Sequence, residues 1–191
     1  MDGEACERDP VRPGGVVGLA VGGAAMGAFL GAATNAVNGR ASPEYFRAVL
    51  RWEDVQDVAR ASVAQGLFEG LLFGLALGTI LAVVVGVVAR GRCSPSRAAG
   101  LFLGVGATAM ACWLAGGLLS MGLASFSPEF FRHAFRGVPE GTDALLCYAW
   151  VGGSINGLQF GGVVATAIAA VLFRARWGKP APPDFGEEIG G

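Results

Sequence analysis

Apolar and polar positions along this chain are segregated into long blocks. Four stretches, roughly 14–36, 62–89, 98–123 and 148–173, are nearly free of charge. A bilayer core about 30 Å thick is crossed by about 20 helical residues, and each stretch is long enough. A helix that is apolar all the way round needs either a large protein core or lipid around it. Four such helices in 191 residues leave lipid as the solvent. The pattern predicts an all-α fold, an integral membrane four-helix bundle.

The polar intervals within each half carry a second pattern. Ser42 reads as an N-cap with Pro43 at the first helical position, where the missing N–H costs nothing. Behind the cap, Tyr45, Phe46, Val49, Leu50 and Trp52 recur at near-helical spacing, with Arg47 and Arg51 four apart. Ser127-Pro128 repeats the arrangement with Phe130, Phe131, Ala134, Phe135, Arg132 and Arg136. Amphipathic loop helices at the membrane interface are expected at about 43–60 and about 128–136, the second cut short by Gly137 and Pro139. Their aromatics face acyl chains and their arginines face headgroups.

The likeness of the two intervals is part of a longer one. A shift of 85 positions aligns 12–51 with 97–136 without a gap, with ten of forty pairs identical. Six of those ten fall in the block S-P-E-[YF]-F-R-x-x-x-R. After two extra residues, 65–84 aligns with 152–171 with eight of twenty identical. The organisation expected is two parallel tandem repeats, each a span, a loop helix and a span, at 14–89 and 98–173. Two spans per copy return the chain to its starting side, so the copies are related by a pseudo-twofold axis along the membrane normal. A tail at 1–13, a short basic link at 90–97 and a Pro-containing tail at 174–191, expected to be disordered, complete the chain.

Lipid supplies little drive for helices to associate, so small residues that let backbones approach do that work. Gly14, Gly18 and Gly22, then Gly23, Gly27 and Gly31, recur at four-residue spacing in the first span. Gly66, Gly70, Gly74 and Gly78 do so in the second, and Gly153, Gly157 and Gly161 in the fourth. These are the expected packing positions.

Composition sharpens the class. The chain is 53% hydrophobic and 15% charged, with 32 glycines and a net charge of −1. No basic field exists for nucleic acid. Met1–Arg12 carries four acids and lacks the basic region of a signal peptide, so the first span is expected to stay in the mature protein. Eight Lys and Arg flank the spans on the side of the termini and six on the side of the loop helices, which favours cytoplasmic termini in a cytoplasmic (inner) membrane. Cys6, Cys93, Cys112 and Cys147 lack metal-ligand spacing, and with His133 the lone histidine no metal site is expected. No phosphate loop, dinucleotide fingerprint or nucleophile elbow is present, so neither cofactor nor enzyme activity is expected.

Polar residues gather near the loop-helix end of the spans: Asn35, Asn38, Gln65, Glu69, Ser120, Ser154, Asn156 and Gln159. Ser120 is the repeat equivalent of Asn35, and Asn156 of Glu69. They suit either hydrogen bonds between helices or a cavity under the loop helices in which Glu69 holds a proton or cation. The uncharged run 70–89 alone covers about 30 Å, which puts Glu69 near headgroup depth and favours the first use. The four arginines Arg47, Arg51, Arg132 and Arg136 are expected to pair with Glu44, Glu129 or lipid phosphates. The sharper alternative gathers them into one anion site. The expected function is a non-enzymatic structural or accessory membrane subunit, partnered by the bilayer and by a second copy or a larger complex. The alternative is a small transporter or channel for a cation or small solute around Glu69 and Asn156.

Overall fold

The computed structural model describes residues 13–88 and 95–177, with side chains for 17–88 and 99–176. Nearly all of the N-terminal tail and most of the basic link and the C-terminal tail lie outside the described residues, as do Cys6 and Cys93. The described elements are α1 (Pro13–Ala41), α2 (Pro43–Leu50), α3 (Val58–Val88), α4 (Pro95–Phe126), α5 (Pro128–Ala134) and α6 (Thr142–Trp177). Four of them hold apolar runs long enough to cross a membrane: Val17–Ala41, Val58–Val88, Ala99–Phe126 and Thr142–Arg176. The chain has the form of an integral membrane protein.

Two boundaries depart from the sequence pattern. The second span starts at Val58 because Asp57 caps it, its Oδ1 accepting the Arg60 N–H at 2.9 Å. The first loop helix stops at Leu50 and does not run on to Arg60. Arg51 turns left-handed at φ 56°, ψ 42°, and the reversed chain brings Trp52 back to stack on Phe46 with ring centroids 5.8 Å apart. A non-glycine residue in that conformation costs about 1 kcal/mol, which the buried aromatic contact offsets. Ser42 caps α2 as its sequence predicts, accepting the Tyr45 N–H at 3.3 Å. Ser127 stands at the same place before α5 but makes no side-chain cap bond.

α1 packs along α3, and α4 along α6, backbone to backbone. A Cβ built on Gly27 would lie 2.7 Å from Gly74 Cα, and one on Gly74 would lie 2.8 Å from Gly27 Cα. Gly70 sits against Gly31, Gly78 against Gly23, and Gly66 against Asn35. In the other pair a Cβ on Gly157 would lie 3.2 Å from Gly116 Cα, while Gly153 meets Ser120 and Gly161 meets Cys112. Of the two glycine series in α1, Gly23, Gly27 and Gly31 make the contact; nothing lies within 4 Å of a Cβ on Gly18 or Gly22, and Gly14 lies outside the residues whose side-chain surroundings are described.

The helix pairs meet along a narrower seam, where Met26 packs on Gly106, and Phe73 and Leu77 on Gly162. At one end of the seam Leu19, Val85, Leu101 and Phe173 cluster. At the other end α2 and α5 cover the bundle. Phe46 and Val58 pack on Val151 there, and Phe131 packs with Ala124, Leu145 and Tyr148.

Candidate functional site: a cleft between the loop helices

The capped start of α2 aims Tyr45 at α6. Its ring meets Tyr148 edge-on with centroids 5.1 Å apart, and Tyr148 Oη donates to the Arg136 carbonyl oxygen at 2.6 Å. That bond ties the chain after α5 to the bundle. Phe135, extended at φ −120°, ψ 144°, lays its ring on Phe131 at 4.6 Å. Gly137 then turns at φ 66°, where any Cβ would run into the side chain of Ala48.

These contacts frame a cleft of about 440 Å³ between the two loop segments. Tyr45, Ala48, Val49 and Arg51 line it from the first, and Phe131, Phe135 and Arg136 from the second. Ser120, Tyr148, Gly152, Gly153 and Asn156 complete the lining from α4 and α6. Burial, and after it the negative charge of Glu69, push the Tyr45 phenol above its ordinary value of 10.0.

The four sequence-predicted arginines are not gathered together. Arg51 and Arg136, equivalents in the repeat alignment, share the cleft. Arg132 turns away and donates to the Glu140 carbonyl oxygen, and Arg47 is exposed outside the cleft lining. The expected ion pairs with Glu44 and Glu129 do not form. Glu44 accepts from the Ser42 hydroxyl at 3.4 Å instead, and among the described residues the ion pair recorded is Arg60–Asp57 at 3.6 Å.

The predicted polar layer divides in two. Asn35, Asn38 and Ser154 are buried, and with Ser62 they bond between helices. Ser62 Oγ lies 3.1 Å from the Asn35 carbonyl oxygen and 2.8 Å from the Ala59 carbonyl oxygen of its own helix. Ser154 Oγ lies 3.2 Å from Asn38 Oδ1 and 3.1 Å from the Val151 carbonyl oxygen, so each hydroxyl shares its one proton between a neighbouring helix and its own. The rest face outward or bond within their own helix. Gln65 Nε2 donates to Glu69 Oε1 at 2.6 Å, and Asn156 Nδ2 donates to the Gly152 carbonyl at 2.8 Å. Ser120 is half-buried against Gly153, and Gln159 is exposed. Glu69 is also exposed and is not part of the lining of the cleft that Asn156 lines.

Midway along the bundle a small cavity of about 60 Å³ is lined by glycines and apolar side chains such as Met26, Leu30, Phe73 and Phe102. Among the described residues no group of His, Cys, Asp and Glu is close enough to hold a metal ion, and Cys112 and Cys147 are free thiols. Compared with known proteins, the chain matches no family model, no curated protein and no solved structure.

Sequence reasoning passed over Ser62, Tyr148 and Gly116. Ser62 and Gly116 do carry a signal. Ser62 extends the four-residue series of Gly66 to Gly78, and Cys112, Gly116 and Ser120 form a small-residue series of their own. Tyr148 has no such pattern, since its role depends on the Arg136 carbonyl twelve residues away.

Proposed function

We propose that the chain is a non-enzymatic structural or accessory subunit of a membrane assembly, working by packing and without a cofactor. It consists of two tandem copies of a span, loop helix and span that cross the bilayer side by side in the same sense. Both termini face the cytoplasm, in the cytoplasmic (inner) membrane. The duplication is supported by the shared S-P-E-[YF]-F-R-x-x-x-R block and by glycine contacts in both helix pairs, Gly27 on Gly74 and Gly116 on Gly157. The common sense is supported by α2 and α5 lying at one end and by the meeting of Leu19, Val85, Leu101 and Phe173 at the other. The excess of basic residues around the termini supports the orientation.

One observation carries the packing role. The buried hydroxyls of Ser62 and Ser154 each share a proton between their own helix and a neighbouring one, while the middle of the bundle is apolar. Polar chemistry is used here to join helices. The outward faces present Phe29, Leu103, Phe126 and Val171, a surface fit for lipid or a neighbouring subunit. The transporter reading at Glu69 and Asn156 has less support, because the two residues face different surroundings.

Isolation from native membranes in a mild detergent tests this. The expected particle exceeds the 19.4 kDa of one chain by a second copy or another subunit at fixed stoichiometry. A lone monomer in every mild detergent contradicts it.

A further inference from the structure

We propose that the cleft between the loop segments is a binding site for an anionic phospholipid, whose headgroup phosphate lies between Arg51 and Arg136. The site goes beyond the subunit reading and does not depend on it. Arg51 and Arg136 both line one cleft, and neither has a carboxylate within ion-pair distance among the described residues. Two such groups on one concave surface match a phosphate in charge and in their planar arrays of donors. Ser120 and Asn156 belong to the same lining. A volume of about 440 Å³ falls within the usual span of small-ligand sites, about 300–1,000 Å³.

The anion is a lipid because of what surrounds the charges. Val49 and Phe135 line the same cleft and stay about half exposed, and Phe130 on α5 is 68% exposed. Segments with aromatics on one side and arginines on the other sit at the level of lipid headgroups. A phosphate held there has its acyl chains beside these apolar groups, whereas a free phosphate ion leaves them uncovered.

The backbone supports the site. The Tyr148 bond to the Arg136 carbonyl fixes the chain from which one arginine projects. The left-handed turn at Arg51 fixes the other, and at that position a glycine would be less strained.

The test uses the full chain in nanodiscs of phosphatidylcholine doped with phosphatidylglycerol, with bound lipid identified by native mass spectrometry. Wild type retains phosphatidylglycerol selectively. Arg51→Gln and Arg136→Gln each weaken retention about tenfold, as loss of one charge-assisted contact implies. Arg47→Gln, outside the cleft, leaves retention unchanged. Arg51→Lys and Arg136→Lys keep the charge and retain more lipid than the glutamine variants, and the thermal midpoint of each variant reports that it is folded. Millimolar inorganic phosphate does not displace the lipid. Equal retention by wild type and the folded Arg51→Gln/Arg136→Gln double variant overturns the proposal. Displacement by inorganic phosphate overturns it too, and assigns the cleft to a soluble anion.

Discussion

Ser154 Oγ lies 3.2 Å from Asn38 Oδ1, 116 positions away, and shares its one proton between that oxygen and the Val151 carbonyl oxygen at 3.1 Å. Both side chains are fully buried, and the bond ties α6 to the end of α1. Asn38 Nδ2 has no partner among the described residues, so this bond satisfies only part of a costly buried amide. Its value is directional. Apolar packing tolerates sliding between helices, whereas this pair has one register.

Ser154→Ala is therefore expected to lower stability by about 1 kcal/mol, and a double-mutant cycle with Asn38→Leu should give a coupling of about 0.6–1.7 kcal/mol. Denaturant unfolding in mixed micelles measures both. Strictly additive effects would show that the bond does not join the helices energetically.

The glycine contacts separate two substitutions that the sequence alone treats alike. Gly74→Leu drives a side chain into Gly27 and the Gly23 carbonyl and is expected to destabilise by about 3 kcal/mol or more. Gly22→Leu meets nothing within 4 Å of its Cβ and is expected to be neutral, or stabilising by up to about 1 kcal/mol through helix propensity. Thermal midpoints of the two variants in one detergent decide it, and equal losses would contradict the helix faces described.

Tyr45 gives a pH signature. Its phenol is raised above 10.0 in the folded chain, by burial first and Glu69 second. The folded state then holds the proton more tightly than the unfolded state does. This contribution to stability is fully present below pH 10.0 and is lost as pH rises through the folded value. Wild type should lose stability above pH 10.0 relative to Tyr45→Phe, and parallel profiles would contradict this.

Arg51→Gly relieves the left-handed strain at φ 56° and should stabilise the protein by about 0.5–1 kcal/mol. The same variant should lose selective phosphatidylglycerol retention. A more stable protein that binds less lipid separates a functional residue from a structural one. Destabilisation would show that the Arg51 side chain holds the fold.

How legible the fold was in the sequence depended on the range of the cause. The four spans stood out because the lack of charge persists over their whole length, and the Ser42 cap because it acts within three residues. The end of α2 did not, because it follows from Trp52 stacking on Phe46, which needs the chain reversal first. Four-residue spacing proposed two glycine series in α1 and could not choose between them; the choice is made by which face α3 covers. The polar residues near the loop-helix end were found as a group. Their division into bonded pairs and outward-facing groups depends on the rotation of each helix about its own axis, and spacing within one helix leaves that free. Likewise the four arginines were named, but only folding puts Arg51 and Arg136 in one cleft and turns Arg132 to the Glu140 carbonyl.

Chemical cross-linking tests the central claim most directly, namely that the two hairpins cross side by side with their loop helices meeting on one face. Cysteines replace Arg51 and Arg136 in a chain whose four native cysteines are removed, and the protein in its membrane is treated with a short, impermeant bis-maleimide, which links two thiols by addition. The account predicts an intramolecular link formed from one side of the membrane. Cysteines that label from opposite sides, or label from one side without linking, contradict it.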